Sequence, residues 1–256
     1  MTAAGFGGYG LDTVFRIFEL IGIVASAVSG SLKGIKHRMD LFGVAVLAII
    51  TALGGGLIRD IVIGSVPPAM FKNPLYVSAA TAVSFIVFVI AYITYGKGDE
   101  KYPKAEEWML FISDTIGLAA YTVTGIEAAV RVGQTGFGLL LFVGVITGTG
   151  GGMLRDIICR QIPSIFKKHV YALASAAGAI ACVIMLRSPL PDLAMPVGFA
   201  VIIILRVLAK TFKWNMPVVG GKGKGIHECR DSIESDGSAE STDSTDGDVG
   251  VDGNRQ

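Results

Sequence analysis

Four places in this chain put ionisable side chains inside apolar runs: Glu19, Asp114, the pair Arg59-Asp60 and the pair Arg155-Asp156. A charge buried in hydrocarbon is costly unless it pairs or faces water, so each is a candidate for contact with a charged or polar solute. The two pairs end two copies of one motif, GGGxxRD, as Gly54-Gly55-Gly56-Leu57-Ile58-Arg59-Asp60 and Gly150-Gly151-Gly152-Met153-Leu154-Arg155-Asp156. Each copy closes an apolar run and is followed by a proline, Pro67 or Pro163. Two readings of the charged pairs stand side by side: they line or gate a pathway, or they cap helices and hold the halves of the molecule together. Glu19 also has Arg16 three residues before it on the same helix face, where the two can pair.

The glycines carry two readings as well. Three in a row cost roughly 1 kcal/mol each against alanine, which predicts a break or hinge that exposes carbonyls to a solute. The alternative is close helix packing, because small residues let backbones approach. Other chemistry finds little support. His37, His169 and His227 are scattered, and Cys159, Cys182 and Cys229 are odd in number without a CxxC, so no metal site or disulfide framework is expected. GGGxxRD lacks the Lys-Ser or Lys-Thr of a phosphate loop. No triad or nucleic-acid patch is visible; neither an enzyme nor a cofactor is expected.

The elements that position these residues are membrane helices. The sequence is 52% hydrophobic with a mean hydropathy of +0.60, and its apolar runs of about 18 to 23 residues suit roughly 30 Å of hydrocarbon. Spans are expected near Thr13–Ser31, Leu41–Gly64, Pro74–Tyr95, Trp108–Ala129, Gly136–Cys159, His169–Leu186 and Asp192–Ala209. The second must run through the glycines, since Leu41–Leu53 alone is too short to cross at 1.5 Å per residue. The pattern restarts after 95 or 96 residues: Glu19 matches Asp114, Gly22 matches Gly117, Gly30 matches Gly125 and Arg59 matches Arg155. Three spans per unit, an odd number, turn the second unit over, so the expected fold is all-α, a 3+3 inverted repeat plus a seventh helix. The repeats occupy 11–95 and 108–187, with a charged linker at 96–107, the seventh helix within 192–212, a glycine-rich N-terminal segment at 1–10 that lacks a signal peptide's basic region, and an acidic tail at 220–256 expected to be disordered.

With these residues in view, the chain resembles bacterial-type membrane proteins carrying two glycine transporter domains, relatives of the trimeric intracellular cation channels. The resemblance covers about Leu11 to Ala209. It implies a homotrimer in the lipid bilayer, each subunit holding its own pore between helices kinked at Gly54, Gly55, Gly56 and Gly150, Gly151, Gly152. The animal channels' Lys-Glu-Val motif is absent, so lipid gating is not implied. A passive channel for monovalent cations is the expected function, with a carrier for glycine or a similar small solute as the rival and a membrane assembly protein as a third possibility.

Loop lysines and arginines set the orientation. Lys33, Lys36, Arg38, Lys97, Lys101, Lys104, Arg160, Lys167, Lys168, Lys210, Lys213, Lys222 and Lys224 follow the odd-numbered spans, against Lys72, Arg131 and Arg187 on the other face. The expected arrangement in the plasma membrane is therefore N-terminus outside and C-terminus cytoplasmic. A reporter fused after Lys213 is expected to stay on the cytoplasmic side; its appearance outside would overturn the topology.

Overall fold

The computed structural model describes residues 9–95, 104–167 and 169–212. The N-terminal segment, most of the charged linker and the acidic tail fall outside these residues. The described chain is helical, with α1 (Tyr9–Lys36), α2 (Leu41–Val62), α3 (Ala69–Lys72), α4 (Pro74–Tyr95), α5 (Lys104–Arg131), α6 (Phe137–Ile158), α7 (Ser164–Lys167), α8 (His169–Leu186), a 3-10 turn (Pro191–Leu193) and α9 (Ala194–Thr211). Six of these (α1, α2, α4, α5, α6 and α9) are long and apolar enough to cross a membrane. In α8 the continuous apolar stretch described, Tyr171–Leu186, is shorter.

The duplication is visible in how the helices stop. In α2 the Gly64 N–H bonds the Ile61 carbonyl and the Ser65 N–H bonds the Asp60 carbonyl, with Gly64 at φ +74°. This is the Schellman ending, in which a left-handed residue lets the chain satisfy the last open carbonyls. The same bonds recur at the end of α6, from Arg160 to Ile157 and from Gln161 to Asp156, with Arg160 at φ 51°. α1 and α5 end alike, through Arg38 at φ 55° and Gly133 at φ 85°. Four helices thus stop by one device at matched repeat positions.

α1, α2, α5 and α6 form the centre, and α1 packs on both α2 and α5 while α2 meets α6. α4 lies against α1 and α2; α8 and α9 lie against each other and against α5. Salt bridges fix the direction of the central pair: Asp12 at the start of α1 meets Arg131 at the end of α5 at 2.7 Å, and Lys36 at the end of α1 meets Glu107 near the start of α5 at 3.8 Å. α1 and α5 are antiparallel.

At the glycine triplets the structure corrects the expectation of a broken helix. Both triplets are helical, inside α2 and α6 without interruption. The physical reason is that an open backbone group in a membrane costs several kcal/mol, more than the low helix propensity of glycine can offset. What the glycines provide is contact. A Cβ on Gly55 would lie 2.2 Å from the Thr147 carbonyl oxygen, and one on Gly151 would lie 2.1 Å from the Thr51 carbonyl oxygen. The two contacts are reciprocal under the repeat. Thr51 and Thr147 turn their hydroxyls back to Leu47 and Val143 carbonyls of their own helices, which leaves their own carbonyls on the α2–α6 seam.

Gly55→Ala and Gly151→Ala are expected to force α2 and α6 apart, at the cost of about 1–3 kcal/mol typical of overpacking. Gly138→Ala, where a Cβ meets nothing within 4 Å, is the matched control. Thermal unfolding in detergent checks this; equal melting temperatures for all three variants would show that the seam tolerates a side chain.

Candidate functional site

Arg59 and Asp60 stand at the last turn of α2, one turn beyond the seam, and both are buried. Arg59 Nε donates to Asp60 Oδ1 at 2.8 Å, and Arg59 Nη2 lies 3.6 Å from Glu19 Oε1 on α1. The Tyr76 hydroxyl, from the first turn of α4, donates to Glu19. Asp60 Oδ2 accepts the Ala69 N–H at 2.7 Å, supplying the N-terminal acceptor that Pro68 cannot give α3. The Arg59 Nη1 atom is buried with no hydrogen-bond partner among the described residues.

The second repeat rebuilds this arrangement at the last turn of α6. Arg155 Nε donates to Asp156 Oδ1 at 3.0 Å, Arg155 Nη1 donates to Asp114 Oδ1 at 2.8 Å, and it also bonds the Ser29 hydroxyl oxygen of α1. Asp156 Oδ2 accepts both the N–H and the hydroxyl of Ser164 at 2.9 Å, capping α7 as Asp60 caps α3. Two further cations join here. Arg206 of α9 donates to Asp114 Oδ2 at 2.9 Å, its guanidinium 4.4 Å from the Tyr171 ring centre and 5.1 Å from that of Phe111. Lys33 of α1 lies 3.8 Å from Asp156 Oδ1 and donates to Gln161 Oε1 at 2.6 Å.

Gln161 continues this chain of contacts to the surface. With its oxygen taken by Lys33, its amide nitrogen, a donor only, faces His37 Nε2 at 3.1 Å, so that ring nitrogen accepts and carries no proton. Burial, followed by the charges of Lys33 and Lys36, pushes the His37 pKa below its ordinary 6.5. The lowered value favours the neutral ring, so the contact persists above that range and is lost as the pH falls through it.

The structure therefore brings together Glu19, Arg59 and Asp60 in one cluster and Asp114, Arg155 and Asp156 in another. It corrects one local expectation. Arg16 is exposed and Glu19 buried, so Glu19 turns inward to Arg59 and Tyr76, away from the neighbour that spacing offered. Each Arg-Asp pair is bonded within itself and to further partners, Arg59 to Glu19 and Arg155 to Asp114. The third glycines stand beside the same arginines: a Cβ on Gly56 would lie 3.8 Å from Arg59 Nη2, and one on Gly152 would lie 3.8 Å from Arg155 Nη2. Sequence reasoning missed Arg206, Lys33, Tyr76 and Tyr171 as members of the clusters. For Arg206 the signal was present, an arginine inside the last apolar run.

A duplicated bundle of apolar helices with buried ion-pair clusters defines an integral, multi-pass membrane protein. The family model described as Glycine transporter matches twice, at residues 16–92 and 111–187, and the chain belongs to that family. It is 33% identical to the UPF0126 membrane protein of Deinococcus radiodurans over 212 residues, 82% of this chain and 94% of the relative. It is also 33% identical to the UPF0126 inner membrane protein YadS of Escherichia coli K12 over 201 residues, 77% and 91% of the two chains. Among solved structures, it is similar to one described for conductance through TRIC cation channels, with 37% identity and a TM-score of 0.69 over 82% of this chain and 100% of that one. It is also similar to the TRIC trimeric intracellular cation channel orthologue from Rhodobacter sphaeroides, with 31% identity and a TM-score of 0.71 over 79% and 100%.

The two clusters do not hold equal numbers of cations, and removal of Arg59 or Arg155 is expected to differ accordingly. Breaking a buried pair costs about 3–5 kcal/mol because the partner is left unpaired. Arg59→Gln leaves Glu19 and Asp60 without a cation, whereas after Arg155→Gln Asp114 keeps Arg206 and Asp156 keeps Lys33, so Arg59→Gln is expected to lower the melting temperature more. Equal shifts would show that the cations left behind do not set the stability of the two clusters.

Proposed function

We propose that this protein is a passive pathway for monovalent cations, potassium or sodium, through a seven-span subunit that assembles as a homotrimer. The observation that carries the reading is the placement of buried ion-pair clusters at the last turns of α2 and α6, on either side of a seam made of glycine and backbone carbonyl. Charges held inside such a bundle mark a polar route, because elsewhere in hydrocarbon they would be too costly to keep. The similarity to two cation channels of 37% and 31% identity supports the same class. At the seam the backbones are too close for a side chain, so a cation passes only when α2 and α6 part. On this reading Gly54, Gly55, Gly56, Gly150, Gly151 and Gly152 form the constriction and the hinge, while Glu19, Arg59, Asp60, Asp114, Arg155 and Asp156 set the charge a passing cation meets.

A carrier for glycine or a similar zwitterion is the second reading. It is favoured by the pairing of arginine with carboxylate at each cluster, which complements a carboxylate and an ammonium group, and by the description of the matched family.

Purified protein in liposomes separates the two. Cation current without saturable glycine uptake is expected; saturable, electroneutral uptake would replace the channel by the carrier. Asp60→Asn and Asp156→Asn keep an acceptor for the caps of α3 and α7 but remove charge. They are expected to change conductance or cation preference per folded trimer more than they change the amount of trimer. Unchanged flux per trimer in both would leave the pairs as assembly elements.

A further inference from the structure

The two clusters occupy matched positions in the repeats, yet they are held shut unequally. The first sets one cation, Arg59, against Glu19 and Asp60, and leaves one guanidinium nitrogen without a partner. The second sets Arg155, Arg206 and Lys33 against Asp114 and Asp156. Of the two added cations, Lys33 belongs to α1 and Arg206 to α9, the helix outside the duplication. Arg206 is 7% exposed, stacked by Tyr171 and Phe111 and bonded to the Asp114 oxygen that Arg155 leaves open. It fixes the carboxylate that in turn fixes Arg155 and, through Asp156, the end of α6.

We infer that Arg206 is a positioning residue that locks the α6 end of the molecule, so that the two ends of the α2–α6 pair open unequally and the α2 end opens first. Arg206 touches no solute; it acts through Asp114. Described as a gate the cluster rests on the pathway reading above, but as a lock it is open to a test that needs no flux. An arginine suits the task because its planar fork stacks between rings and donates in a fixed direction, which a lysine ammonium cannot do. Among the described residues of the first repeat none plays this part for Glu19, whose partners are the Tyr76 hydroxyl and Arg59.

The chain carries its own reporter. Cys159 caps the C-terminus of α6, is 6% exposed and feels the charges of Lys33, Arg155 and Asp156. Burial keeps its thiol from solvent and hence from reagent. The matching position on α2 is Ile63. In nanodiscs, the rate at which a charged, membrane-impermeant maleimide labels Cys159 is measured in a Cys182→Ser, Cys229→Ser background, with and without Arg206→Gln. Ile63→Cys with Cys159→Ser reports on the other end. Arg206→Gln is expected to speed Cys159 labelling about tenfold, the population change that loss of one charge-assisted hydrogen bond can produce, and to leave Ile63→Cys labelling unchanged. Arg206→Lys is expected to fall between, at about threefold, since charge is kept and the fork is lost.

An unchanged Cys159 rate overturns the inference, and so does an equal rise at both reporters, which marks general loosening. If Arg206→Gln yields no folded protein, Arg206→Lys carries the test on the same terms. Potassium flux measured alongside is expected to rise in Arg206→Gln. Faster labelling of Cys159 with no cation flux in either protein would keep the lock and remove the channel.

Discussion

The constraint on which the structure depends is the approach of two helix backbones with no side chain between them. Gly55 and Gly151 leave the space that the carbonyls of Thr147 and Thr51 fill, and in lipid such packing replaces the hydrophobic force that would join helices in water. Other glycines extend the principle outward. A Cβ on Gly30 would strike α2 at Ala48 and Thr51, and one on Gly125 would strike α6 at Thr147, so α1 and α5 clasp α2 and α6 against the seam. Gly117 admits Ser26 where α1 crosses α5. Small residues here decide distances, and distances decide which polar groups meet.

Beyond the seam the same geometry sets the electrostatics. With α1 so close to α2 and α5 so close to α6, Glu19 and Asp114 come within reach of the arginines one turn past the third glycine. Each aspartate then spends its second oxygen on the short helix that follows. A cluster inside the bundle is thereby tied to the loop outside it, through one carboxylate.

Much of this was legible in the sequence. Six of the seven expected spans follow from apolar length, the duplication from matched motifs, and the six charged residues from their rarity in apolar runs; all six lie in the two clusters. What the sequence could not supply was partnership across the chain. Glu19 has a cation three residues away in Arg16 and uses another forty residues on, because only the inward face of α1 is shielded from lipid. Arg206 and Asp114 belong to helices outside any common period. The helical glycines were misjudged for a related reason. Propensity describes a backbone that water can solvate when it opens, and this backbone has no such alternative.

The reciprocal contacts at the seam make it an isologous interface, one in which residue i meets j and j meets i. A single repeat could form the same interface with another copy of itself inserted upside down. The chain thus contains, in one polypeptide, the symmetry of an antiparallel dimer. Joining the halves fixes their ratio at one to one and frees each from the need to match the other. Arg206 and Lys33 illustrate that freedom: a dimer of identical repeats would have to carry every added cation at both ends or at neither, whereas the joined chain carries them at one.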